Sequence, residues 1–201
     1  GVVGVMNRSA TEDVRSSVWA VISEVLRGSE APTPLAGLIV DLLDAWVADD
    51  APQLDGDDDG FNDESGPTIY GALFEPLAEA VVRPVYGDSV ADLDRIRNLS
   101  SNDGASIVDK DLRTLLGKDV KGPFNLSYCG NGDLATCRDA LGQTVDTIAG
   151  EVQAEYGGAP ETWLKEGARS SFAPGLLPDT FRRTNRPTFQ QVLAFVPAAA
   201  E

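Results

Sequence analysis

The residues best suited to chemistry lie in an acidic stretch from Leu54 to Gly66, hereafter the acidic loop. An EF-hand loop binds Ca²⁺ through oxygens at positions 1, 3, 5, 7 and 9 and a bidentate Glu at position 12, with Gly at position 6 for the turn. With Asp55 as position 1, Gly60 takes position 6, but Gly66 stands where the glutamate belongs. The spacing predicts a set of structural calcium ligands, namely Asp55, Asp57, Asp59, the Phe61 carbonyl and Asp63.

The missing glutamate leaves this predicted coordination incomplete. Water, a carboxylate from outside the loop or a different loop path would have to supply the last ligand. The alternative is a solvated acidic loop whose Asp and Gly residues simply favour turns. We expect bound calcium to be structural rather than catalytic, because it would hold together the two helices that flank the loop.

The negative charge of the chain is concentrated around this loop. Residues 28–82 contain thirteen Asp and Glu and no Lys or Arg, within a formal net charge of −16. So acidic a chain is not suited to nucleic acid or to an anionic membrane surface, both of which require clustered basic residues. The absence of histidine excludes Ser-His-Asp chemistry within this chain and removes the commonest zinc ligand.

The two cysteines, Cys129 and Cys137, lie in and just after a loop rich in Gly, Asn and Asp. Two cysteines without histidine do not suit a zinc site. In an exported chain the pair predicts a local disulfide that anchors the start of a long helix. Two buried free thiols are the alternative.

Helical periodicity dominates the elements that must position these groups. The apolar spacing predicts helices from Ser9 or Thr11 to Gly28 and over residues 32–49, 67–84, 92–99, 107–116 and 134–156, with a short helix around Trp163. Residues 1–7 and 188–196 are rich in strand formers. The three tryptophans fall in helical patterns, which favours core positions over sugar-stacking ones. We expect one segment over residues 1–201, without a transmembrane span.

In several stretches that recur in order, the chain resembles the C-terminal part of the penicillin acylase family. The stretches that carry the resemblance are Ala10-Thr11-Glu12-Asp13-Val14-Arg15, Leu42-Leu43-Asp44-Ala45-Trp46, Cys129-Gly130 with Ala135-Thr136-Cys137-Arg138, Leu177-Pro178-Asp179-Thr180, and Thr184-Asn185-Arg186-Pro187-Thr188-Phe189-Gln190-Gln191-Val192. The resemblance implies an α+β fold class: a mostly helical segment of a four-layer αββα N-terminal-nucleophile (Ntn) hydrolase, ending in a strand of its sheet.

The same resemblance implies an exported, proteolytically processed amidase that cleaves acyl amides of the β-lactam, acyl-homoserine lactone or lipopeptide type. Its partners would be the other chains of the same precursor. Because Gly1 is not Ser, Thr or Cys, we expect the nucleophile on another segment and assign no catalytic or cofactor-binding residue here. No signal peptide is recognisable, which suggests a mature extracytoplasmic segment. The alternative is a non-catalytic, calcium-binding extracellular structural or interaction subunit.

Overall fold

Helices make up most of the computed structural model, which describes residues 12–57, 59–90, 92, 99, 102–167, 169–171 and 180–182. The α-helices of this part are α1 Trp19–Leu26, α2 Pro34–Ala48, α3 Gly66–Tyr86, α4 Asn102–Leu115 and α5 Leu134–Tyr156. Short 3₁₀ turns cover Val14–Val18, Gly87–Ser89, Cys129–Gly132 and Pro160–Thr162. Two short strands, β1 Arg169–Ser171 and β2 Thr180–Arg182, pair antiparallel.

Helix boundaries follow the local chemistry of the sequence. At the start of α2, the Thr33 side chain accepts the N–H of Ala36 at 3.2 Å, and Pro34 takes the first helical position. At the start of α5, Asp133 accepts the N–H of Thr136 at 2.7 Å. The helices predicted over residues 32–49, 67–84, 107–116 and 134–156 are confirmed, and the first predicted helix is confirmed as a 3₁₀ turn followed by α1. The strands predicted at 1–7 and 188–196, and most of the helix predicted at 92–99, lie outside the described residues.

Tyr70 of α3 lies at the centre of the core. Its ring contacts three aromatic side chains, with centroid separations of 6.0 Å to Trp19, 5.7 Å to Trp46 and 5.6 Å to Phe74. Its hydroxyl donates to the carbonyl of Arg15 at 2.7 Å. Burial raises the pKa of Tyr70 well above its usual range, so this phenol stays neutral and joins α1, α2 and α3.

The prediction that the tryptophans are core residues is confirmed. Each of the three is at most 3% exposed. Each indole N–H has a partner inside the protein: the Asp44 carboxylate for Trp19, the Pro52 carbonyl for Trp46 and the Gly157 carbonyl for Trp163. A buried indole N–H without a partner would cost free energy, so these contacts also fix the paths of the loops that carry the carbonyls.

The prediction of an α+β segment ending in a strand of a four-layer αββα sheet is wrong. In the described residues, helices bury their apolar faces against other helices, and α3 packs against both α4 and α5. The three-residue strands β1 and β2 form an isolated two-stranded ladder, which is too small to support a helical layer. The physical reason is that aromatic and aliphatic side chains of α1 to α5 already complete one another's burial without a sheet beneath them.

Candidate functional site

The acidic loop follows a sharp turn at the end of α2. Asp50 and Ala51 both have positive φ angles, 67° and 45°, which are uncommon for residues with a side chain. The turn is held by the Trp46 indole, which donates to the Pro52 carbonyl at 2.9 Å. The chain therefore leaves α2 in a fixed direction and enters the acidic loop from the core.

Three of the predicted ligands meet at one point. Asp55, Asp57 and Asp63 each place a carboxylate oxygen within 4.8 Å of the other two. Asp55 is only 3% exposed, whereas Asp57 and Asp63 face solvent. Negative charges at this separation repel one another, so a cation between them would lower the electrostatic energy of the loop.

Backbone N–H groups hold two of these carboxylates, Asp57 and Asp63, in place. The N–H of Gly56 donates to both oxygens of Asp63, at 2.8 and 3.0 Å, and the N–H of Asp63 donates to the Leu54 carbonyl at 2.7 Å. The Asp57 carboxylate accepts the N–H of Asp59 at 3.3 Å. These bonds close the loop on itself and orient the carboxylates of Asp57 and Asp63.

A segment distant in sequence closes the acidic loop from outside. The N–H of Asn62 donates to the Lys165 carbonyl at 3.0 Å, and the N–H of Gly167 donates to the Gly60 carbonyl at 2.8 Å. Gly60 has a φ of 100°, a conformation that favours glycine. An ion bound in the loop would therefore fix three pieces of chain: the end of α2, the start of α3 and residues 165–167.

Asp59 and Phe61, the other two predicted ligands, are placed differently from the converging carboxylates. The Asp59 carboxylate accepts the N–H of Phe61 at 2.8 Å and is not one of the three that meet. Phe61 lies opposite Glu166 in an isolated antiparallel bridge. The hydrogen bonds of that bridge flank the pair, so the N–H and C=O of Phe61 point away from residues 165–167. The Phe61 carbonyl thus faces the side on which the Asp59 carboxylate lies.

The absence of a glutamate at position 12 has a steric cause. Gly66 begins α3 directly against the Trp46 indole, and a Cβ at this position would lie 2.2 Å from the Cγ of Trp46. Real Cβ contacts are far longer, so no larger residue fits without displacing the buried tryptophan. The last ligand of a calcium ion would have to be water or a group from elsewhere.

The donor set fits Ca²⁺ by its chemistry and size. Carboxylate and carbonyl oxygens are the ligands of hard cations, and Ca²⁺ holds them at about 2.3–2.6 Å, so oxygens on opposite sides lie roughly 5 Å apart. The three carboxylates each have an oxygen within 4.8 Å of the other two, which is compatible with a shared ion of this size. Asp55, Asp57 and Asp63 would hold the ion, and the Phe61 carbonyl remains a predicted ligand.

The side chain of Lys165 belongs to a charged group beside the core. Burial lowers the pKa of Lys165, the nearby Arg15 guanidinium lowers it further, and Asp13 opposes both effects. Asp13 binds Arg15 through two side-chain hydrogen bonds of 3.1 and 2.8 Å. The segment that closes the acidic loop thus presents its backbone to the loop and its ammonium group to the start of the helical core.

The cysteines form a second structural site. Cys129 and Cys137 are joined by a disulfide, with sulfurs 2.04 Å apart. Asp111 of α4 stabilises the start of the disulfide loop, because its carboxylate accepts the N–H groups of Tyr128 and Cys129 at 2.8 and 2.9 Å. Burial raises the pKa of Asp111, and the two backbone N–H groups partly offset that rise.

No family model matches the chain, and no curated protein matches it. Among the described residues, no helix is both long enough and apolar enough to cross a membrane.

Sequence reasoning missed two groups, one that closes the acidic loop and one that supports the disulfide loop. Residues 165–167 carry no local pattern that points to the acidic loop a hundred positions earlier. Asp111 did leave a signal: it falls on the same helical face as Val108 and Leu115, where a carboxylate is buried only if it has partners. That position could have predicted a polar contact between α4 and the disulfide loop.

Proposed function

We propose that this chain is a calcium-stabilised helical segment of an exported, penicillin acylase-like amide hydrolase, with the catalytic nucleophile on another segment of the same precursor. The segment builds and rigidifies the scaffold and does not itself touch the reacting bond. The convergence of Asp55, Asp57 and Asp63 carries the structural part of the proposal. The enzymatic part rests on the ordered stretches of sequence resemblance.

The stretches of resemblance that fall within the described residues coincide with residues that hold the core together. Asp13 and Arg15 come from the first stretch, and Asp44 and Trp46 from the second. Arg15 binds Asp13 and packs over the Tyr70 ring with its carbon Cζ 6.0 Å from the centroid. This placement supports a scaffold role for the matched residues.

The disulfide stretch behaves in the same way. Cys137 is tied to Cys129, and the neighbouring Arg138 donates from Nε to the Val25 carbonyl at 2.8 Å, which joins α5 to the end of α1. A disulfide suits a protein that matures outside the reducing cytoplasm. It supports an extracytoplasmic location for the working protein.

Native purification tests the enzymatic part. The expected result is a co-purifying chain of the same precursor that begins with Ser, Thr or Cys, together with hydrolysis of a chromogenic acyl amide. Replacing that first residue by Ala should abolish hydrolysis. Recovery of this chain alone, without a second chain or amidase activity, contradicts the assignment.

A non-catalytic, calcium-binding extracellular subunit is the second candidate function. The acidic loop favours it, since three converging carboxylates need no catalytic partner to bind an ion. Calcium-dependent stability without any associated amidase activity would select this candidate. Calcium-dependent stability together with amidase activity in the processed complex would select the first.

A further inference from the structure

A cavity of about 580 Å³ lies at the end of α2 that is remote from the acidic loop. It is bounded by the end of α1, the first turns of α2 and one face of α5. Since α2 has fifteen residues, the cavity and the acidic loop are separated by roughly 20 Å along the helix. A pocket of this size matches those that hold small organic molecules.

The floor of the cavity is apolar and shaped by small residues. Ala36 and Val40 of α2 and Val145 of α5 form buried parts of the wall, at 1%, 6% and 1% exposure. Gly142 of α5 faces Pro32 so closely that a Cβ would lie 3.3 Å from the proline Cγ. The cavity therefore offers an apolar space of the size of a small organic molecule, and larger side chains on α5 would fill it.

One side of the cavity carries a fixed guanidinium. Arg138 donates from Nε to the Val25 carbonyl at 2.8 Å, and its guanidinium occupies the space that a side chain at Gly28 would take, with Nη2 2.1 Å from the ideal Cβ position. No carboxylate among the described residues forms an ion pair with it. The neighbouring Arg27, in contrast, is already paired with Asp41 and Asp44.

We propose that this cavity binds a small monocarboxylate with an apolar body. The carboxylate accepts charge-assisted hydrogen bonds from the Nη groups of Arg138, and the body lies against Ala36, Val40 and Val145. Glu30 and Asp139 lie exposed at the rim, where solvent and salt screen their repulsion of the bound carboxylate, and they further disfavour a second negative charge on the ligand. This site stands apart from the acidic loop and does not depend on the proposed function.

Titration of the full chain with hexanoate, followed by amide chemical shifts, tests this inference. The expected result is saturable shifts at Gly142 and Val145 with a dissociation constant of about 1 mM, and at least about tenfold weaker binding of hexanamide, which has the same body without the charge. Equal binding of the two probes, or no saturation up to about 20 mM hexanoate, overturns the proposal.

Two matched variants assign the charge to one arginine. Arg138→Gln should weaken hexanoate binding about tenfold or more, because it removes the charged donor. Arg27→Gln, on the same cavity wall, should leave binding within about twofold, because that guanidinium is already engaged. Equal effects of the two variants overturn the role of Arg138. If Arg138→Gln fails to fold, the comparison of hexanoate with hexanamide on the unaltered chain still decides.

Discussion

Asp44 should be worth several times more to stability than Asp41, although both face Arg27 from α2. The Asp44 carboxylate accepts the buried Trp19 indole N–H at 2.7 Å, the Ser23 hydroxyl at 3.0 Å and an Arg27 N–H at 2.8 Å. Asp41 accepts only from Arg27, in a pair that is at least half exposed on both sides. The two aspartates therefore share Arg27 as a partner, and only Asp44 also binds the buried donors Trp19 and Ser23.

The magnitudes follow from these contacts. Asp44→Ala leaves the Trp19 N–H without an acceptor, which costs about 1–3 kcal/mol, and removes the Ser23 bond, worth about 0.5–1.5 kcal/mol. The exposed pair with Arg27 contributes about 0–1 kcal/mol in either variant. We expect the free energy of unfolding to fall by about 2–4 kcal/mol for Asp44→Ala and by less than about 1 kcal/mol for Asp41→Ala.

Urea unfolding followed by tryptophan fluorescence measures both values. The two substitutions change helix propensity equally, because both replace Asp by Ala inside α2. The comparison therefore isolates the buried contacts. Losses of similar size in the two variants would refute the claim that Asp44 satisfies a buried donor. Asp44→Asn, which keeps one acceptor oxygen, should fall between them.

Three further outcomes are expected. Asp111→Asn should lower the free energy of unfolding by about 1–3 kcal/mol in chemical denaturation, because its amide NH₂ would face one of the backbone N–H groups that Asp111 accepts, including that of Cys129. Burial raises the pKa of Asp111, so its ionisation lowers the free energy of unfolding as pH rises through the folded-state pKa. Acidification should restore that part of the free energy of unfolding in the parent chain, and Asp111→Asn should remove this pH dependence. Burial lowers the pKa of Lys165, so its charge destabilises the folded protein below the folded-state pKa, and this cost declines as pH rises towards the unfolded-state pKa. Lys165→Met should therefore raise the melting temperature at neutral pH and flatten the rise of stability with pH in the alkaline range. Gly66→Ala should destabilise by more than about 1 kcal/mol in urea because its Cβ overlaps Trp46, whereas a Gly66→Ala protein as stable as the parent would show that the indole can move.

Local elements were predictable because their causes are local. The stripe of Ile39, Leu43 and Trp46 follows the helical period and is buried in α2, and Thr33 caps the helix as its side chain favours. The sheet prediction had a different basis. It depended on a strand-forming run at 188–196, which lies outside the described residues, and on the family resemblance. Neither of these indicates how completely the five helices bury one another's apolar faces.

For the acidic loop, the sequence predicted which residue types could bind an ion better than it predicted where their side chains lie. Aspartate spacing identified Asp55, Asp57 and Asp63, which the loop brings together. The same spacing could not show that Asp59 bonds to its own loop backbone, since that depends on the path the chain takes through Gly60. Nor could it show the closing contact with residues 165–167, which arises only after the helices have packed.

The calcium site is tested most directly by thermal melts of two matched variants, Asp57→Asn and Asp59→Asn. Both residues are exposed and each accepts one backbone N–H, but only Asp57 belongs to the converging group. At a free Ca²⁺ concentration about 100 times the dissociation constant, binding adds about 2.7 kcal/mol, which raises the melting temperature by roughly 5–10 °C over that in chelator. We expect this rise in the parent chain and in Asp59→Asn, and its loss in Asp57→Asn. The same melting temperature with calcium and with chelator in the parent chain, or an unchanged rise in Asp57→Asn, would contradict the account.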